Sequence, residues 1–156
     1  MTDINPKQAN GKTPFYFAAQ EGHLNIVEYY LDKLSINDEN LKLLNTNHQQ
    51  TGGNPLHAAA AAGHLEIVQT ITKYLTDINP RNADGTTPLH LAAEKGHIPI
   101  VDYFVSRLKN IYPKAANGST PLHMAVTSGQ LAVVDYFVSR MDEINTANGT
   151  FDEGFT

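Results

Sequence analysis

Apolar residues recur at three- and four-residue steps in four stretches of the chain, over 24–34, 65–75, 98–108 and 131–141. The second stretch is the clearest, with Leu65, Ile67, Val68, Ile71 and Leu75 falling on one face of a helix. A proline-led segment precedes each stretch: Thr13-Pro14-Phe15-Tyr16-Phe17-Ala18-Ala19, Asn54-Pro55-Leu56-His57-Ala58-Ala59, Thr87-Pro88-Leu89-His90-Leu91-Ala92-Ala93 and Thr120-Pro121-Leu122-His123-Met124-Ala125. Thr is a favourable N-cap, and Pro is tolerated at the first helical position, where its missing N–H is not needed. Gly22, Gly63, Gly96 and Gly129 stand where these first helices should end, since glycine enters the left-handed region without steric cost. Pro99 falls in the first turn of its helix, an allowed position. The pattern predicts an all-α chain of paired helices, four times over.

The prolines at 55, 88 and 121 fall 33 apart, whereas 14 and 55 are 41 apart, which marks an insertion. Val101-Asp102-Tyr103-Phe104-Val105-Ser106-Arg107 returns unchanged at 134–140, as growth by duplication would leave it. Asp3 to Gly11 aligns with Asp77 to Gly85, so the sequence opens inside an inter-repeat loop. Gly11, Gly85, Gly118 and Gly149 each follow Asn or Asp, as a tight turn with positive φ requires. Ile4, Ile78, Ile111 and Ile144 precede those turns and are read as apolar anchors of each hairpin. A 33-residue period carrying Thr-Pro-Leu-His resembles the ankyrin repeat family over nearly the whole chain. The resemblance implies an all-α repeat solenoid, with stacked helix-turn-helix repeats joined by short β-hairpin-like loops into an L-shaped array. Residues 1–156 are then one ankyrin repeat domain, with approximate repeats at 10–50, 51–83, 84–116 and 117–149 and partial hairpins at both ends.

The chain departs from the family pattern in two places. The family usually has Gly-Ala after the second helix, whereas Leu34, Leu75, Leu108 and Met141 occupy the Gly position here. A bulky residue is costly at positive φ, so these helices are expected to end differently, a little later. The Asp-Ile-Asn-Pro wording looks like a subclass found in long arrays. The other departure is the insertion at 35–50, in which Asn37 can cap a short helix and Leu41 and Leu44 can pack down. It reads as a tolerated loop extension or as an added recognition element. Residues 141–150 resemble the start of a fifth hairpin. Neither end carries a polar capping repeat, so either Phe15, Tyr16, Phe17, Phe151 and Phe155 cover the end faces or the chain is a piece of a longer array.

Composition narrows the function classes. A net charge of −5 argues against a nucleic-acid partner, because no surplus of Lys and Arg is present to displace counterions. No apolar run approaches the ~18–20 residues that span a bilayer, and the N-terminus does not read as a signal peptide. Cysteine is absent, which removes disulfides, thiolate nucleophiles and Cys-based zinc sites and is consistent with a reducing, cytoplasmic compartment. Asn117-Gly118-Ser119 and Asn148-Gly149-Thr150 match glycosylation acceptors but coincide with the turn positions of the repeat.

Apparent catalytic or metal motifs dissolve into the repeat. His57/His64 and His90/His97 are seven apart, like a ligand pair, but the spacing recurs because both of these repeats have one His in the first helix and one opening the second. The resemblance implies that His57, His90 and His123 hydrogen-bond within their own repeats and to neighbouring backbone. Gly11-Lys12-Thr13 imitates a phosphate loop, but Pro6 stands where its first glycine belongs. No constellation of acids, bases and nucleophiles emerges, and no cofactor or metal is expected. Asn79 and Asn145 lie in a hairpin context in which ankyrin asparagines can be hydroxylated, although a turn residue bonding its own loop is the simpler reading.

The resemblance implies a concave face of hairpin tips and first helices that binds a protein partner. Carried over by position, the variable surface falls on Lys7, Lys12, Gln20 and Glu21, on His48 and Gln50, on Arg81, Asp84, Thr86, Glu94 and Lys95, and on Lys114, Asn117, Ser119, Thr127 and Ser128. This surface is mixed in charge, and Arg81 is its one residue of a hot-spot type. The tyrosines and phenylalanines of the second helices, among them Tyr29, Tyr74, Tyr103 and Tyr136, offer a competing convex site. A non-catalytic protein-binding module is therefore expected, monomeric or associating end to end. The alternative is a structural segment of a longer array or a regulatory part of a larger enzyme or channel.

Overall fold

The computed structural model describes residues 4–34, 44 and 53–148. Among them are eight helices: α1 (Pro14–Glu21), α2 (Leu24–Lys33), α3 (Pro55–Ala62), α4 (Leu65–Thr72), α5 (Pro88–Lys95), α6 (Ile98–Val105), α7 (Pro121–Thr127) and α8 (Leu131–Asn148). No strand occurs among the described residues. The odd-numbered helices form an inner row in which each packs closely on the next, and the even-numbered helices form an outer row with lighter mutual contact. This is the stacked helix-pair solenoid that the sequence pattern predicts.

The inner helices start as their residues dictate. Thr13, Thr87 and Thr120 each accept, through Oγ1, the backbone N–H three residues on, and Asn54 accepts from Leu56 and His57. The first three inner helices end on Gly22, Gly63 and Gly96 at φ of 82°, 86° and 78°. Small alanines let the inner row close up: Ala19, Ala60 and Ala93 are fully buried beside Phe15, Leu56 and Leu89. Phe15 is therefore a core residue and not a cover for an end face.

The outer helices end otherwise than expected. Their C-caps Leu34, Lys73 and Ser106 keep right-handed dihedrals, so no residue needs positive φ there. Yet α4 and α6 stop before Leu75 and Leu108, not after them. Tight last-turn bonds, Leu75 N–H to Thr72 O and Arg107 N–H to Phe104 O, close these helices early. Leu75 and Leu108 then fold back against the core. The last repeat is corrected in the opposite sense, because α8 continues to Asn148 where a fifth hairpin was expected. Pro80 and Pro113 follow the earlier outer helices, but the matching position holds Thr146, and no Gly or Pro interrupts 131–148.

The hairpin anchors are also revised. Ile78 and Ile111 pack on the core, but Ile4 is exposed. A polar link fixes the loop instead: Asn5 Oδ1 accepts the N–H of Phe15, and Asn79 Oδ1 accepts that of Leu89, each ten residues ahead. Within the insertion, Leu44 is buried in the core cluster as expected. Asn37, Leu41, His48 and Gln50 lie outside the described residues.

Candidate functional site

Each hairpin tip closes on itself and then on its neighbour. Gln8, Asn82 and Ala115 donate to Lys12, Thr86 and Ser119, with Gly11, Gly85 and Gly118 turning the chain between them. Ala116 N–H donates to Asp84 O at 2.9 Å, joining the third tip to the fourth. Gly85 must be glycine here, since a Cβ would stand 3.0 Å from the Ala116 nitrogen, at a φ of +72°. Arg81 adds a second strap, its guanidinium donating to Gly85 O and to Lys114 O.

Two rows of imidazoles then lock the repeats together. His90 Nδ1 accepts from Thr87 N–H and from Thr87 Oγ1, while its Nε2 donates to Ser119 O in the next repeat at 3.0 Å. His57 reaches Thr86 O in the same way at 3.1 Å. Burial favours the neutral ring: the His57 pKa is pushed down to about 4, chiefly by desolvation, and that of His90 is lowered for the same chief reason. The second row points the other way. His64 Nε2 donates to Gln20 O, His97 Nε2 to Ala61 O and Gln130 Nε2 to Glu94 O, each a carbonyl in the last turn of the preceding inner helix. Those carbonyls lack an intrahelical partner, which is why they are available. The spacing of this second row is legible in the sequence, but its task is not.

The residues expected to meet a partner fall in several settings. Lys7, Glu21, Arg81, Asp84, Lys95, Lys114, Asn117, Thr127 and Ser128 are exposed. Lys12, Gln20, Thr86, Glu94 and Ser119 are half-buried; the backbone carbonyls of the last four accept side-chain bonds from a neighbouring repeat, and that of Lys12 closes its own tip. Glu94 and Lys95 form an ion pair at 3.1 Å. Asn117 folds its Oδ1 back onto Ser119 N–H, and Thr127 donates to His123 O. Between the third and fourth tips, Asp84, Thr86, Ala115, Ala116, Asn117 and Met124 line a groove of about 320 Å³. Lys12 Nζ lies 5.1 Å from the Tyr16 ring centroid and 5.5 Å from that of Phe17, so an aromatic pair borders this surface at the first repeat. Their side-by-side rings were visible in the sequence but had been assigned to an end face.

The outer row has a groove of its own, about 440 Å³, lined by Ile98, Ala132, Asp135, Tyr136, Ser139 and Arg140. Its tyrosines are partly committed: Tyr103 OH and Thr72 Oγ1 are 2.6 Å apart, and Tyr136 OH donates to Asp102 at 2.7 Å. Arg107 stacks on Tyr103 at 4.0 Å. Asn79, considered above as a modification site, directs its Oδ1 to the Leu89 N–H. Among the described residues no three His, Cys, Asp or Glu side chains are grouped to hold a metal ion, and no helix is long and apolar enough to cross a membrane.

Tips closed by hydrogen bonds, inner helices joined by imidazoles and a stack that grows by one pair at a time define a helical repeat protein of the kind built for binding. The family model for ankyrin repeats (3 copies) matches residues 1–82 and 70–148, and the chain belongs to the ankyrin repeat family. Ankyrin repeats are in general protein-interaction modules and typically non-catalytic. No curated protein matches the chain.

Proposed function

We propose that this chain is a non-catalytic module that binds a partner protein through its concave face of hairpin tips and inner helices. The observation that carries this reading is the groove between the third and fourth tips. Its walls include Asp84, Thr86 and Asn117, which position in the repeat alone had marked out. Backbone hydrogen bonds hold those tips in fixed register, so binding a partner would cost little ordering of the loops. The aromatic pair Tyr16 and Phe17 would supply apolar contact at the other end of the same face, where large rings contribute most.

Site-specific photocrosslinking tests the reading. A crosslinker at Asn117 should capture a discrete partner from a lysate of the source organism, and one at Ser139 in the outer-row groove should not. Asp84→Arg should abolish the Asn117 adduct while leaving the circular dichroism spectrum unchanged. Capture from Ser139 alone would transfer the site to the outer row and overturn the proposal.

A further inference from the structure

The groove between the third and fourth tips is bounded by polar side chains that the fold itself does not use. Asp84 is exposed, and its carboxylate makes no ion pair or hydrogen bond among the described residues. The tip is held by the Asp84 backbone alone: its N–H donates to Asn82 Oδ1, and its carbonyl accepts from Ala116 N–H. Thr86 is committed in the same way. Its N–H donates to Asn82 Oδ1 and its carbonyl is taken by His57, so the hydroxyl has no partner among the described residues. Asn117 Oδ1 accepts from Ser119 N–H, and an amide oxygen keeps a second lone pair.

The remaining walls are apolar, and no cation lines the groove. Ala115, Ala116 and the half-buried Met124 complete the lining. Arg81 of the same tip turns its guanidinium to Gly85 O and Lys114 O, and neither Arg81 nor Lys114 is a lining residue. An unpaired carboxylate and a hydroxyl beside an apolar wall suit a side chain with an apolar stem and a cationic head. Arginine fits this description better than lysine, because its planar guanidinium can fork onto a carboxylate and still offer donors to a hydroxyl or an amide oxygen. A volume of about 320 Å³ is room for one such side chain and little more.

From this arrangement we infer that the groove takes an arginine side chain from a basic segment of the partner protein. The inference rests on the concave-face reading above and adds the chemistry of what binds there. The guanidinium forks onto the Asp84 carboxylate, with Thr86 Oγ1 and Asn117 Oδ1 as further acceptors, and the stem lies along Met124 and Ala116. The net charge of −5 acts in the same direction over longer range, drawing in a basic partner and repelling an acidic one. Asp84 therefore selects the partner and contributes nothing to holding the repeats together.

Titration of the isotope-labelled chain with acetyl-Gly-Arg-Gly-amide, followed by amide chemical shifts in NMR, tests the inference. The peptides with lysine, citrulline or glutamate in place of arginine are the comparisons. The arginine peptide should shift the amides of Asp84, Thr86, Ala116 and Asn117 saturably, with a Kd of about 1–10 mM for so small a ligand. The lysine peptide should bind less tightly, and the uncharged citrulline and the acidic peptide more weakly still. Asp84→Asn should weaken the arginine peptide by about 3–10-fold and remove its advantage over citrulline, and added salt should weaken it in the wild type. Equal affinity for arginine and citrulline, an unchanged affinity in Asp84→Asn, or unmoved tip amides at about 20 mM arginine peptide would each sink the inference. A partner that still crosslinks at Asn117 in excess arginine peptide would leave the concave site standing and remove only the arginine. Arginine-peptide shifts confined to the groove at Ile98 and Tyr136 would remove both.

Discussion

Gly63→Ala isolates the contact between repeats at a single atom. Gly63 has φ +86°, and its Cβ position lies 2.7 Å from Cε1 of His97, a ring held by its bond to Ala61 O. Three costs combine. A β-carbon in the left-handed region costs about 1–2 kcal/mol. Forcing a packed ring aside costs about 1–3 kcal/mol. Losing the imidazole–carbonyl bond costs about 0.5–1.5 kcal/mol. A total of about 2.5–6.5 kcal/mol is expected, a large share of the ~5–15 kcal/mol that stabilises a typical domain. Gly129→Ala is the matched control, since Gly129 has φ +70° with nothing within 4 Å of its Cβ position, so only the backbone cost remains. Urea denaturation, monitored by circular dichroism at low protein concentration, gives both values, with the slope checked for loss of two-state behaviour. In the double variant Gly63→Ala/His97→Ala the steric cost should vanish, leaving a coupling of at least about 1 kcal/mol in the mutant cycle. Equal destabilisation by Gly63→Ala and Gly129→Ala would refute the argument, because the ring contact would then count for nothing.

Further expectations follow from the imidazole rows and their neighbours. His57 has its pKa lowered to about 4 by burial, so the folded state binds fewer protons than the unfolded state between that value and ~6.5. Stability should therefore fall as pH drops through this window, by up to about 3 kcal/mol from His57 with an added loss from His90, and urea midpoints measured between pH 7 and pH 4 check it. Asn54→Thr should stabilise the second repeat by about 0.5–1.5 kcal/mol. With its Nε2–H given to Thr86, His57 presents a lone pair at Nδ1 only 2.8 Å from Asn54 Oδ1, whereas a Thr hydroxyl would donate there, and thermal melts of the two proteins decide. Asn79→Ala removes the acceptor for Leu89 N–H and should cost about 1–3 kcal/mol, with faster amide exchange at Leu89 by NMR as its local signature. Tyr136→Phe, which removes an exposed bond to Asp102, should cost less than about 1 kcal/mol in the same melts.

The fold was legible because its instructions are local and repeated. Thr-Pro starts and Gly ends are short-range signals, and four copies in register remove the ambiguity that any one of them carries. What was not legible depends on distance in sequence. The tasks of His64, His97 and Gln130 lie in carbonyls 36 to 44 residues earlier, which no helical period reports. Ile4 and Asn5 show the same limit: the apolar neighbour looked like the anchor, but the amide beside it makes the bond to Phe15. That α8 can run to Asn148 was readable in principle, since Thr146 stands where Pro80 and Pro113 bar so long a helix in the other units. The groove residues Asp84, Thr86 and Asn117 were marked by position in the repeat, but Arg81, chosen for its residue type, bridges two backbone carbonyls.

The two sides of the array are fastened by different means, and this gives the molecule a direction of easy bending. Along the inner side, backbone and imidazole bonds cross from repeat to repeat, among them Ala116 to Asp84, His90 to Ser119 and His97 to Ala61. Along the outer side the helices touch lightly, through contacts such as Tyr103 with Thr72. Prising the inner side apart must stretch short directional bonds, which fail over a few tenths of an ångström. Spreading the outer helices mostly lengthens softer contacts, so a load that bends the stack towards its inner row meets less resistance than one that bends it away. The array thus acts as a one-sided spring, easier to bend towards its inner row of helices than away from it.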